Sequence, residues 1–165
     1  MADSAPGRVR LSNRAHSFAS QHSRPDSCPV LLENVAFNNS WTLNMTDNLR
    51  FVFDAGDTAS MHVRDRLDAS RSWWPKFSDG KFSEDYAIVS RVLDSKTGAV
   101  LVTIAGLDHT GTRAAGDFVT DPQLLAALLK QAPKDWTRKN LQVVLHTTVV
   151  NNIPSSPTVV AVHFW

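Results

Sequence analysis

The chain has 165 residues, room for one domain at roughly 150 residues each. With 42% hydrophobic and 20% charged residues it can build a packed core, which excludes wholesale disorder. Seventeen Lys and Arg against sixteen Asp and Glu leave a net charge of +1, against a dominant nucleic-acid footprint, and the single Cys28 excludes a disulfide framework or a multi-Cys zinc site. No apolar run reaches the about 18 residues of a membrane helix, so a cytoplasmic location is expected.

Residues 1–29 hold six Ser, four Arg and three Pro, and their apolar residues Val9, Leu11 and Phe18 keep no helix or strand period. A solvated, disordered tail is expected. It has no apolar core of a signal peptide, and Asp3 and Asp26 weaken a transit-peptide reading. Order is expected to begin near Val30, where Val30-Leu31-Leu32 could form a buried strand. Ser40–Leu49 reads as a short helix capped by Asn39 or Ser40, with Trp41, Met45 and Leu49 on one face. Arg50–Asp54 alternates as a strand, and Met61–Asp65 does so more weakly. Residues 66–84 read as loop.

Tyr86–Leu93 and Val100–Ala105 are rich in Val and Ile and are joined by Asp94-Ser95-Lys96-Thr97-Gly98, the pattern of a β-hairpin. A loop, Gly106–Gly111, leads into a helix over 112–119. Asp121 caps a second helix with Pro122 in its first turn and a Leu124, Leu125, Leu128, Leu129 stripe; Ala132-Pro133 ends it. Leu141–Val150 and Thr158–Trp165 are two further strands, expected to pair antiparallel. The helices are placed as crossovers, so the expected fold is a layered, Rossmann-like α/β domain with a mixed sheet and a C-terminal β-hairpin. Residues 1–35 would be an extension and residues 36–165 one domain.

The strand–loop–helix at 100–119 is the leading candidate site. Ligands of open α/β sheets bind at the carboxyl ends of strands, and helix N-termini favour anions. Gly106 and Gly111 allow close approach of backbone, and Thr110 and Thr112 offer hydroxyl groups. The Gly106-x4-Gly111 spacing imitates a P-loop, but Thr112 stands at the lysine position and Arg113 at the Ser/Thr position, so nucleotide triphosphate hydrolysis is not expected. Asp108 and His109 could supply acid/base chemistry, although neighbours in sequence usually point apart. A loop that merely turns the chain and caps a helix accounts for the same residues. Phe37-Asn38-Asn39-Ser40-Trp41-Thr42 is a second candidate: Asn38 and Asn39 could hydrogen-bond a polar ligand and Trp41 could stack on a ring. The same asparagines suit a turn or a cap.

The His and acidic residues show no metal-ligand spacing, and a cross-strand His146–His163 pair would lack a third ligand. Trp73-Trp74 among Arg64, Arg66 and Arg71 could bind single-stranded nucleic acid, but nearby acids favour a Trp-anchored loop.

The blocks Phe37-Asn38-Asn39-x-Trp41-Thr42, Leu49-Arg50-Phe51-x-Phe53, Asp85-Tyr86-Ala87-Ile88-Val89, Ala105-Gly106 with Gly111-Thr112-x-Ala114-Ala115-Gly116-x-Phe118, and Ala132-Pro133-x-x-Trp136 with Lys139-Asn140 resemble the C-terminal half of a family of uncharacterised bacterial proteins. That resemblance spans about residues 36–165. It implies a Rossmann-like domain, often preceded by a membrane-anchored or DNA-binding region, and it carries over no catalytic residues. Glu33-Asn34-Val35 departs from the family's pattern, so a truncated relative with an unrelated start is expected.

The expected function is sensing of a small polar, nucleotide-like ligand within a signalling or regulatory protein, without a cofactor or nucleic acid. The crevice would be built from Asn38, Asn39, Trp41, Gly106, Asp108, His109, Thr110, Gly111 and Thr112. The alternatives are a hydrolase or transferase using Asp108, His109 or Asp85, and a fragment that self-associates or joins a partner through an open sheet edge.

Overall fold

The computed structural model describes residues 30–33, 40–54, 61–96 and 98–165. The chain runs through β1 (Val30–Glu33), α1 (Ser40–Thr46), β2 (Phe51–Asp54), β3 (His62–Asp65), β4 (Ser72–Trp73), β5 (Lys76–Ser78) and the long β6 (Lys81–Val92). It continues through β7 (Leu101–Gly106), α2 (His109–Thr120), α3 (Pro122–Leu129), a 3-10 turn at Trp136–Arg138, β8 (Leu141–Val150), β9 (Ile153–Pro154) and β10 (Thr158–Phe164). The large sheet has the order β1-β7-β6-β8-β10, with β5 added to β6 and β9 to β8; a small sheet has the order β2-β3-β4. The large sheet thus takes in residues 30–33, upstream of the expected domain start at 36.

The expected Rossmann-like α/β fold is not what forms. The β6–β7 hairpin and the antiparallel β8–β10 pair form as expected, but β6 also pairs antiparallel with β8, so the sheet is mostly antiparallel. Among the described strands only β1 and β7 pair in parallel. The crossover helices do not build a parallel sheet; they cover one face of a mostly antiparallel one, and the two faces are covered differently. Ala87, Val89, Val143 and Leu145 pack under Ala115, Phe118 and Leu128 of the helices. Ile88 and Val144 face the other way, onto Phe51 and Val63 of the small sheet. The α2–α3 connection does cross over, but it passes β6 to reach β8, so it creates no adjacent parallel pair.

One buried side chain ties the two sheets together. Gln142 has no exposed surface. Its Oε1 accepts from the Phe51 N–H at 2.9 Å, and its Nε2 donates to the Phe51 carbonyl at 2.9 Å and to Ser90 Oγ at 3.2 Å. The amide behaves as an extra residue of sheet, satisfying both backbone groups of Phe51 where water does not reach.

The stretch read as loop over 66–84 holds β4, β5 and the start of β6. Asp79 and Gly80 both adopt positive φ, 51° and 74°. Two such residues make the tight turn that matches strand twist, between Phe77 and Phe82, whose rings lie 4.6 Å apart. The Asp-Gly dipeptide is the signal that marks it.

Candidate functional site

The loop at 106–112 is a tightly filled junction. Its centre is Asp85 of β6, which is fully buried. Thr110 Oγ1 donates to Asp85 Oδ2 at 2.7 Å, the Gly111 N–H donates to the same oxygen, and the Tyr86 N–H donates to Oδ1 at 2.7 Å. Gly111 is the third residue of α2, so a carboxylate from the neighbouring strand caps this helix. Thr112 Oγ1 accepts from the Gly106 N–H at 2.8 Å, and the Leu107 N–H donates to the Tyr86 carbonyl. A Cβ on Gly111 would stand 2.8 Å from Asp85 Oδ2, and one on Gly106 would stand 2.3 Å from the Thr112 nitrogen. Both glycines are therefore required by packing inside the junction.

Burial dominates the Asp85 carboxyl and pushes its pKa up to about 6. The Thr110, Gly111 and Tyr86 donors pull it down, and nearby Asp108 pushes it up. Asp108 occupies the N-cap position without capping; its Oδ2 lies 2.8 Å from Nδ1 of His109. The two do meet, against the expectation that neighbours in sequence point apart. The His109 side chain is largely exposed.

Of the other expected site residues, Asn38 and Asn39 lie outside the described residues, and Trp41 falls in the first turn of α1. His146 stands opposite Thr158 and His163 opposite Gln142, so the register separates the two histidines. His146 instead meets Glu84 at 3.0 Å. Among the described residues no cluster of His, Cys, Asp and Glu could hold a metal ion. Trp73 packs edge-on against Phe51 at 5.7 Å under the Arg71 guanidinium, and Trp74 stacks on His62 at 3.8 Å; both rings are anchored on the small sheet, where Trp73 belongs to β4 and not to a loop.

A second region is open. A cleft of about 410 Å³ lies where the α1–β2 connection, the turn after β3 and the end of β10 meet. Leu49, Arg50, Arg66, Leu67, His163 and Trp165 line it together with Asn48. Asp65 is its foundation. This fully buried carboxylate takes a two-pronged contact from Arg50, with Nε 3.0 Å from Oδ1 and Nη2 2.9 Å from Oδ2. The Leu67 N–H also donates to it, and Arg71 stands 3.7 Å away. Burial alone would raise the Asp65 pKa, but Arg50, the Leu67 N–H and Arg71 together hold it below the usual carboxylate value.

One wall of the cleft is aromatic. The His163 and Trp165 rings are stacked, 5.1 Å apart and 12° from parallel, as residues two apart along one face of an extended chain can be. Phe51 meets His163 edge-on at 6.5 Å. Burial, then the Arg50 charge, lower the His163 pKa below its ordinary 6.5, which favours the neutral ring. Backbone bonds between Trp165 and Asn140 extend the β8–β10 ladder and fix the wall. The Arg66 N–H donates to the Arg50 carbonyl, and its guanidinium donates to the Asp47 carbonyl at 2.8 Å on the exposed rim.

No family model, curated protein or solved structure matches this chain.

Proposed function

We propose that this chain is a ligand-binding, sensing domain whose ligand is a small planar anion, nucleotide-like in chemistry, held in the cleft between Arg66 and the His163–Trp165 wall. The observation that carries the reading is the pairing of a stacked aromatic face with arginines around about 410 Å³ of open space. Ligand sites of roughly 300–1,000 Å³ combine such apolar walls with a few placed polar groups. A flat ring would lie on Trp165. The Arg66 guanidinium would take the anionic group, because Arg50 is already neutralised by Asp65. The Gly106–Thr112 loop serves in this reading as the rigid support of α2, its Gly106 and Gly111 N–H groups already bonded to the protein.

The test is binding of adenosine monophosphate, with adenosine and inorganic phosphate as its two halves, read by tryptophan fluorescence and thermal shift. At 100 times its dissociation constant a ligand stabilises by about 2.7 kcal/mol. Saturable binding of the monophosphate, weakened by Arg66→Ala and by Trp165→Ala, supports the reading. Binding indifferent to both substitutions, or none, overturns it.

The Asp108–His109 pair favours one other reading. A carboxylate 2.8 Å from Nδ1 orients the imidazole, the arrangement a general base needs. Asp85 is not available for that chemistry, since both of its oxygens are bonded inside the fold. Loss of a turnover on His109→Ala, with cleft binding intact, would identify an enzyme.

A further inference from the structure

β10 is the last strand of the large sheet, and no described strand pairs with the outer side of its backbone ladder. Edge strands are commonly protected by charged side chains. β10 reads TVVAVHF and has no Asp, Glu, Lys or Arg. Val159, Val160 and Val162 are 37–40% exposed on it. The neighbouring α3 reads PQLLAALL and is equally free of charge. Between the two runs an apolar groove of about 320 Å³, lined by Phe118, Leu124, Leu128, Val159, Val162 and Phe164. An uncharged strand edge and an uncharged helix, side by side along one margin of the domain, form a contiguous surface of the kind that marks an interface.

We propose that this margin is where two copies of the chain join, β10 pairing antiparallel with β10 of the second copy about a two-fold axis normal to the sheet. The occupant is a second copy on grounds of charge and closure. A strand without charged residues opposes no like charges when it pairs with itself, and the chain's net charge of +1 adds little repulsion. Pairing β10 with the opposite edge, β1, would leave a free β10 at one end and a free β1 at the other and grow without limit; pairing it with itself consumes both β10 edges and closes. Pro157 just before β10 and the bulge between Val159 and Ala161 keep the new ladder short. The two-fold axis puts α2 and α3 of both copies on one face, so the two grooves merge under a pair of α3 helices. This joint lies on the face of β10 away from His163 and does not depend on the cleft's binding a ligand.

The experiment is the mass of the full chain in solution, by light scattering on a sizing column and by sedimentation equilibrium. The expected result is a dimer for the unaltered chain, and monomers for Val160→Lys and Ala127→Glu, both at exposed positions. Val150→Lys, at the exposed tip of the β8–β9 turn, is expected to stay dimeric. Circular dichroism and a cooperative thermal transition establish that each variant is folded. Hydrogen exchange gives a second readout: β10 amides facing away from β8 gain protection as concentration rises. A monomer at the highest concentration, an open-ended series of masses, or a dimer that survives Val160→Lys and Ala127→Glu overturns the proposal.

Discussion

Replacing Asp85 by Asn separates the two things this carboxyl does. The side chain is fully buried, and burial pushes its pKa from the ordinary 3.8 to about 6. The folded state therefore holds a proton that the unfolded chain has released between about pH 4 and 6. Folded protein binds more protons than unfolded in that window, so the stability due to Asp85 falls as pH rises through it. The loss amounts to about 3 kcal/mol and is complete above about pH 7. Asn has the same shape and does not titrate. Its amide nitrogen would face the Gly111 N–H in place of an accepting oxygen, a fixed penalty of about 1–3 kcal/mol for a buried unsatisfied donor. Asp85→Asn is therefore clearly destabilising at pH 4, and the deficit shrinks by about 2 kcal/mol by pH 7. Comparing the two proteins at each pH cancels His163, whose lowered pKa acts oppositely by weakening the fold as pH falls below 6.5. The assay is urea denaturation followed by circular dichroism at several pH values. A difference between the two proteins that stays flat from pH 4 to 7 would refute the reasoning, because the carboxyl would then titrate normally.

Gln142→Leu keeps the volume but strips both backbone groups of Phe51 of their partner, and should cost about 2–5 kcal/mol in chemical denaturation. A loss below about 1 kcal/mol would mean that the two sheets are not joined through this amide. Gly111→Ala drives a methyl to 2.8 Å from Asp85 Oδ2 and 2.9 Å from the Tyr86 carbonyl, and should lower stability by about 2 kcal/mol or more. Gly116→Ala in the same helix meets nothing within 4 Å and should raise stability by about 0.5–1 kcal/mol. Equal effects of the two glycine substitutions would contradict the packing described for the junction. Asp65→Asn removes the charge on which Arg50 and Arg71 converge. It should destabilise by about 3 kcal/mol at neutral pH, with the deficit fading as acid protonates Asp65 in the unaltered protein.

The local grammar of this fold was readable in the sequence. Asp121 and Pro122 start α3 as expected, with the Asp121 carboxylate accepting from the Gln123 and Leu124 N–H groups. The turn chemistry at 94–98 joins β6 to β7, and Asn151-Asn152, both at positive φ, turns β8 back on itself. The Rossmann-like layering does not follow from crossover helices alone: α2 and α3 do cross from β7 to β8, but β6 lies between those strands and pairs antiparallel with both. The cap of α2 was out of reach for another reason: its carboxylate comes from residue 85, just before the expected strand at 86 and far in sequence from the helix it caps. The cleft has the same character. Residues 48–50, 66–67 and 163–165 meet only once the small sheet is laid on the large one. The His163-x-Trp165 alternation at the end of an apolar strand was the only local sign of it.

The most direct test of the binding account is a two-dimensional amide and indole NMR titration of the ¹⁵N-labelled chain with adenosine monophosphate. The account predicts shifts that saturate and cluster at Arg50, Arg66, His163 and the Trp165 indole, while Gly106–Thr112 stays still. Shifts centred on Gly106–Thr112, or none at any concentration, would contradict it.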